Sequence, residues 1–112
     1  MNKKVLVFGY SDNPERYSFR AFNLLKEFDY YPIAFSPRTD DILKFNDHYH
    51  TLTLYVGHDI SNKFLDAILK LNFDRLIVNP GAENELLEHK ISQLGKEVVH
   101  GCTLVMLKTD QF

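Results

Sequence analysis

The sequence is short of cysteine, of charge imbalance and of long apolar runs, and each shortage excludes something. Its one cysteine, Cys102, has no partner for an internal bridge, so the fold must hold without disulfides and a reducing compartment, the cytoplasm, is expected. With 13 Lys and Arg against 15 Asp and Glu, the net charge is -2. That balance argues against a general nucleic-acid binder, because a phosphate backbone selects concentrated positive charge. No apolar stretch approaches the ~18 residues that span a bilayer. The run Val5 to Phe8 is too short for a signal-peptide core, so neither export nor membrane insertion is expected. His48, His50, His58 and His89 have no spacing that gathers ligands on one helix face, and no metal site is expected.

What remains is ordinary globular composition: 112 residues, 45% hydrophobic and 25% charged. A chain of this length buries roughly 65% of its extended surface on folding, enough for one core. A single domain over residues 1–112 is expected.

Strand and helix patterns alternate along it. Lys4 to Phe8 (KVLVF) is an unbroken apolar run ending at Gly9, as a strand buried on both faces requires. Arg16 to Phe28 carries Ala21, Phe22, Leu25 and Phe28 at helical spacing. Tyr31 to Phe35 is a second strand, with Pro32 marking its first residue or a sheet edge. Thr39 to Tyr49 is polar and poorly periodic, a connection with at most a short strand near Ile42 to Phe45.

TLTLYV, Thr51 to Val56, predicts another inner strand. Ser61 is expected to cap a helix over Asn62 to Leu71, stopped by Asn72. Arg75 to Val78 predicts a short strand. Glu83 to Leu94, acidic in its first turn and closed by Gly95, predicts a helix. Glu97 to Val99 adds a strand, and the chain ends in a helical turn through Met106 or Leu107. Together these elements predict an α/β, Rossmann-like doubly wound domain, with a mainly parallel sheet of about five strands and helices on both faces. Ligands of such sheets sit beyond the carboxyl ends of the strands, where strand order reverses.

The loops at that rim carry the candidate chemistry. In the first, Gly9 follows the strand, and Ser11, Asp12 and Asn13 precede the helix. Free amides and a helix N-terminus there suit an anion, a phosphate above all; an ordinary strand-to-helix turn has the same pattern. Only one glycine of the G-x-G-x-x-G fingerprint is present, since Ser11 and Pro14 stand where others belong. The second strand ends in Ser36, Pro37 and Arg38 instead of the acidic residue that takes NAD ribose hydroxyls. A cation there suits a phosphorylated ribose, as in NADP or coenzyme A, or is simply a solvated arginine.

In NPGAEN, Pro80 and Gly81 precede a helix, so the amides of Ala82 and Glu83 are expected to point outward toward a ligand, or the segment is a turn and cap alone. Glu83 has the chemistry of a general base, but acidic residues in a first turn are common for dipole reasons. Cys102 lies two residues from His100 at the start of a helical turn, a setting that can activate a thiol, although most lone cysteines are buried. Phe19, Tyr17 and Tyr30 read as packing groups. A phosphoacceptor receiver domain shares this architecture but needs paired acidic residues where this first strand ends in Gly9, Tyr10 and Ser11.

The segments VLVFGYSDNPERYSFRAFNLL, AFSPR, TLTLYV, RLIVNPGAENELL and EVVHGCTLVML, in that order and spacing, resemble the small CoA-binding-domain family. This is a stand-alone Rossmann-like module similar to the CoA-binding domain of the succinyl-CoA synthetase alpha subunit. The resemblance runs from Lys4 to about Gln111, and NPERYS, NPGAEN and CTLVML are its most specific parts. It implies that Gly9, Ser11, Asn13, Pro14 and Arg16 hold cofactor phosphates. It also implicates Ser36, Pro37 and Arg38 at the second strand end, and Tyr55, Val56, Pro80 and Gly81 at the neighbouring ones. The larger synthetase supplies a phosphohistidine and a second subunit that these residues do not replace, so acyl-CoA synthesis is not implied.

The expected function is therefore non-catalytic binding of coenzyme A or a related phosphorylated adenine nucleotide. One alternative makes Cys102 the nucleophile of a CoA-thiol-linked acyl or disulfide exchange enzyme. Another is a ligand-free homodimeric interaction module using Phe19, Met106 and Phe112.

Overall fold

A strand with apolar residues on both sides is stable only between two helical layers, and the first strand is enclosed in that way. A computed structural model describes residues 3–112. In chain order the elements are β1 (Lys4–Phe8), α1 (Tyr17–Glu27), β2 (Tyr31–Phe35), a 3-10 turn (Ile42–Lys44), β3 (His48–Leu54), α2 (His58–Lys63) and α3 (Leu65–Lys70). They continue through β4 (Asn72–Val78), α4 (Glu85–Gln93), β5 (Glu97–His100) and α5 (Thr103–Lys108). The five strands form one sheet in the order β2-β1-β3-β4-β5, with every pairing parallel.

Alternation along β1 decides which layer each side chain joins. Val5 and Val7 pack with Leu25 of α1 and Leu107 of α5 on one face. Leu6 and Phe8 enter the larger core on the other, with Ile68 of α3 and Leu87 and Ile91 of α4. Each fully buried apolar side chain of this size contributes roughly 1.5–3 kcal/mol against exposure. At the carboxyl ends of β1 and β2 the rings of Phe8 and Phe35 lie 4.6 Å apart, and Phe64 sits edge-on to both at 5.7 Å. This aromatic cluster makes a firm floor beneath the rim.

Several boundaries differ from the sequence expectation. The connection near Ile42 to Phe45 holds a 3-10 turn and no strand; the Asp41 carboxylate caps it by accepting from the Leu43 amide at 3.0 Å. β3 begins at His48, three residues early, because Tyr49 is buried and the strand pairs along Asn72 and Phe73 of β4. Asn72 accordingly opens a strand instead of stopping a helix.

Ser61 does not cap its helix. It lies inside α2, which starts at His58 behind Gly57, and its hydroxyl is buried between the His58 carbonyl and the Asn84 amide. The single helix expected over Asn62 to Leu71 is broken at Phe64, whose backbone leaves helical geometry where its ring meets Phe8 and Phe35. Pro32 is buried on the edge strand β2, where its missing N–H is tolerated. Phe28 and Leu94, placed on buried stripes by their spacing, are exposed at the ends of α1 and α4.

Candidate functional site

β1 and β3 are neighbours, yet the chain leaves β1 toward the α1 layer and leaves β3 toward the α2 layer. The two loops part above the strand ends, as expected where strand order reverses. Between them lies a cleft of about 400 Å³. Gly9, Ser11 and Arg16 reach it from the loop after β1, and Ser36, Pro37 and Arg38 from the end of β2. Tyr55 and Val56 come from the end of β3, and Pro80 from the end of β4. Asn13, Pro14 and Gly81 do not border it. Tyr10, Ser18 and Ile60 do, although only the folded chain singles them out; Tyr17, expected to pack, lines the cleft and is 64% exposed.

Gly9 permits the close approach of the first and third loops. Its φ is +101°, a region that favours glycine, and a Cβ there would lie 2.7 Å from the Val56 Cγ1 methyl. The Ser36 hydroxyl fastens the second loop to the first by donating to the Tyr10 carbonyl at 2.7 Å. The Ser36 amide in turn donates to the Asp40 carboxylate at 2.8 Å.

The donors of the first loop are largely taken up within the protein. The Gly9 and Tyr10 amides donate to the Phe35 carbonyl, the Ser11 amide to the Ser18 hydroxyl, and the Asn13 amide to the Ser11 hydroxyl. The Glu15 and Arg16 amides are taken up by Asn13. These amides are therefore satisfied by the end of β2, by α1 and by the loop itself. The helix start is different: Arg16 stands at the N-cap of α1 with no side-chain cap, so the first-turn amides of Tyr17, Ser18 and Phe19 have no acceptor within the helix. An anion here meets a helix end and two guanidinium groups, Arg16 and Arg38, both exposed and neither in an ion pair among the described residues.

The NPGAEN loop also differs from expectation. The Ala82 amide donates to the Asn79 carbonyl, and the Gly81 amide is held by the Glu83 carboxylate at 3.1 and 3.2 Å. Of the two amides expected to face a ligand, that of Ala82 closes the turn instead, as does that of Gly81, and the Glu83 carboxylate stays with its own turn. Asn84 caps α4 by accepting from the Leu87 amide, while its side-chain N–H groups reach Ser61 and Asn62 of α2.

Asn79 is the residue whose importance only the fold reveals. Buried at 2% exposure, it donates to the Thr53 hydroxyl at 2.7 Å and to the Leu54 carbonyl at 2.8 Å. Its carbonyl oxygen accepts from both the amide and the hydroxyl of Thr103 at 3.0 Å. One side chain thus joins β3, the end of β4 and the start of α5. Above it the Tyr55 hydroxyl is buried without a hydrogen-bond partner. Burial pushes its pKa up to about 12; the nearby Thr103 and Thr53 hydroxyls pull it back somewhat, though not at hydrogen-bonding geometry.

A second hollow of about 420 Å³ adjoins the cleft and shares Tyr17, Tyr55 and Pro80 with it. Cys102 borders this hollow, half-buried. His100 is not its partner, since that imidazole is hydrogen-bonded to the Glu88 carboxylate. The apolar trio expected for a dimer surface is largely spent inside the fold. Met106 is buried, Phe112 packs against Tyr30 and beneath the Arg75 guanidinium, and Phe19 stacks on Tyr10. Among the described residues no three His, Cys, Asp or Glu side chains gather as metal ligands, and no helix is long and apolar enough to cross a membrane.

Comparison with known proteins matches residues 3–108 to the sequence model of a family described as CoA binding domain. A crystal structure of an uncharacterized protein superimposes with a TM-score of 0.87 at 34% identity, over 100% of this chain and 99% of the other. A cell-free-expressed protein from Thermus thermophilus gives 0.87 at 18% identity, covering 99% of this chain and 91% of its own. A hypothetical protein from Pyrococcus horikoshii OT3 gives 0.84 at 18% identity, with coverage of 96% and 83%. At these lower identities the likeness is one of fold. The curated proteins offered no match.

Proposed function

The chain belongs to the CoA binding domain family, and from that premise we propose that its cleft binds coenzyme A or a closely related phosphorylated adenine nucleotide without chemistry of its own. The observation that carries this reading is the meeting of three things at one strand-order reversal: the uncapped start of α1, the Arg16 and Arg38 guanidinium groups, and a backbone held close by Gly9. The helix end and the arginines favour negative charge. Arg38, at the end of β2, stands where a ribose phosphate is recognised in this architecture. Tyr17 offers an exposed ring at the same rim.

Native mass spectrometry of the purified protein and calorimetric titration with coenzyme A test the reading. A 1:1 complex that coenzyme A forms, and that adenosine without phosphates does not, is the expected result. Failure of coenzyme A and NADP alike to bind overturns it.

A second reading draws on Cys102, because the hollow it borders adjoins the cleft. In it the Cys102 thiolate attacks a sulfur of CoA disulfide, forming a mixed disulfide and releasing one CoA thiolate. Intact-mass analysis after incubation with CoA disulfide decides it; an unchanged mass removes this reading and leaves the binding one standing.

A further inference from the structure

We infer that the second hollow is an acyl subsite, so that the ligand class is acyl thioesters of coenzyme A in preference to the free thiol; this rests on the binding function proposed above. Its walls are the Leu104 and Val105 side chains of α5, the Pro80 ring, and the rings of Tyr17 and Tyr55. Apart from the Tyr55 hydroxyl, which has no hydrogen-bond partner, the polar side chains beneath them are already committed. Asn79 has all four of its hydrogen bonds inside the protein, and Thr103 is bound by Asn79 and Thr53. A polar guest gains at most one direct partner there, the Tyr55 hydroxyl, whereas an apolar guest displaces water from Val105, which is 57% exposed, without breaking any of those hydrogen bonds.

The position of the hollow matches the class. Ser36 and Arg38 lie at the β2 end of the cleft, where they also border a further hollow with Ser11, Asp12 and Thr39. The apolar walls lie at the opposite end, beyond the shared Tyr17, Tyr55 and Pro80. A molecule charged at one end and apolar at the other fits that gradient, and an acyl thioester of a nucleotide-bearing thiol is such a molecule. Lys108, exposed at the mouth of the hollow, does not close it.

The test is calorimetric titration of the full chain with coenzyme A and with hexanoyl-CoA. Hexanoyl-CoA is expected to bind about tenfold tighter or more, since each buried methylene contributes about 0.8 kcal/mol and only part of the chain need be covered. Val105→Asp, at an exposed position, is expected to abolish that preference, read as the ratio of the two affinities, because its charge acts on the phosphates of both ligands alike. Val105→Thr, nearly isosteric, is expected to reduce it in part. Equal affinities for the two ligands in the parent protein, or a preference that survives Val105→Asp, overturns the acyl subsite and leaves nucleotide binding intact. Absence of binding by both ligands overturns the two proposals together.

Discussion

Gly9 and Val56 stand so close that a single added carbon on Gly9 would lie 2.7 Å from the Val56 Cγ1 methyl, and 3.3 Å from the Tyr55 carbonyl carbon. The contact joins the ends of β1 and β3 and sets the width of the cleft between their loops. Gly9→Ala is expected to destabilise the fold by about 1 to 3 kcal/mol, from the positive φ and the overlap together. Pairing it with Val56→Ala removes the nearest obstacle but not the backbone strain, so partial recovery is expected. Chemical denaturation of the three variants checks this; full recovery would show that φ carries none of the cost.

Arg38 lies at the cleft, exposed and outside any ion pair among the described residues. Arg38→Ala is expected to weaken coenzyme A binding by about 1 to 3 kcal/mol through loss of a charge-assisted contact. Its melting temperature should match the parent's. Calorimetry at two salt concentrations reads both the loss and a shallower salt dependence, and an unchanged dissociation constant removes Arg38 from the site.

Asn79 is the junction of three elements, with four hydrogen bonds from one buried side chain. Asn79→Ala leaves the Thr103 amide without its acceptor and takes one partner each from the Thr53 and Thr103 hydroxyls and the Leu54 carbonyl, at an expected cost of about 1 to 3 kcal/mol. Hydrogen exchange should show the loss centred on α5 and the end of β3. A change below about 0.5 kcal/mol, the range of ordinary surface substitutions, would mean that water replaces the side chain.

His50 has its pKa lowered, first by burial and then by the Arg75 and Lys3 charges, while Asp74 acts the other way. Its Nδ1 is 2.8 Å from the Thr51 hydroxyl, which also accepts from Arg75 Nε at 3.0 Å. The folded protein therefore takes up this proton less readily than the unfolded chain, whose histidine titrates near 6.5. The contribution of His50 to stability is complete above that pH and is lost as pH falls through the folded value. His50→Gln should flatten the decline of stability below about pH 6.5, measured by urea denaturation across the range. An unaltered slope would assign the acid sensitivity to other groups.

Much of this molecule is written in local patterns. KVLVF and the TLTL of TLTLYV announce buried strands because only a two-faced apolar run suits the middle of a parallel sheet, while Tyr55 and Val56 fall just beyond the strand end. Gly95, at φ +81°, marks the end of α4 as a helix-terminating glycine should. The position of the rim follows from strands alternating with helices, so the loops holding Gly9, Ser36, Arg38, Tyr55 and Pro80 were legible before any fold was known.

Tertiary structure alone decided what those loops do with their donors and where the chain bends between elements. The amides of Gly9, Tyr10 and Ala82 are consumed by carbonyls of the chain, two of them by a residue 25 or more positions away. Phe64 breaks a helix that its own spacing favours because two rings from β1 and β2 meet it there. Asn79 looks like any residue before a proline until Thr53 and Thr103 close on it. Periodicity records which face of an element is dry, a property of neighbours in sequence; donor satisfaction and cavity shape depend on groups brought together from distant segments, and no local pattern carries them.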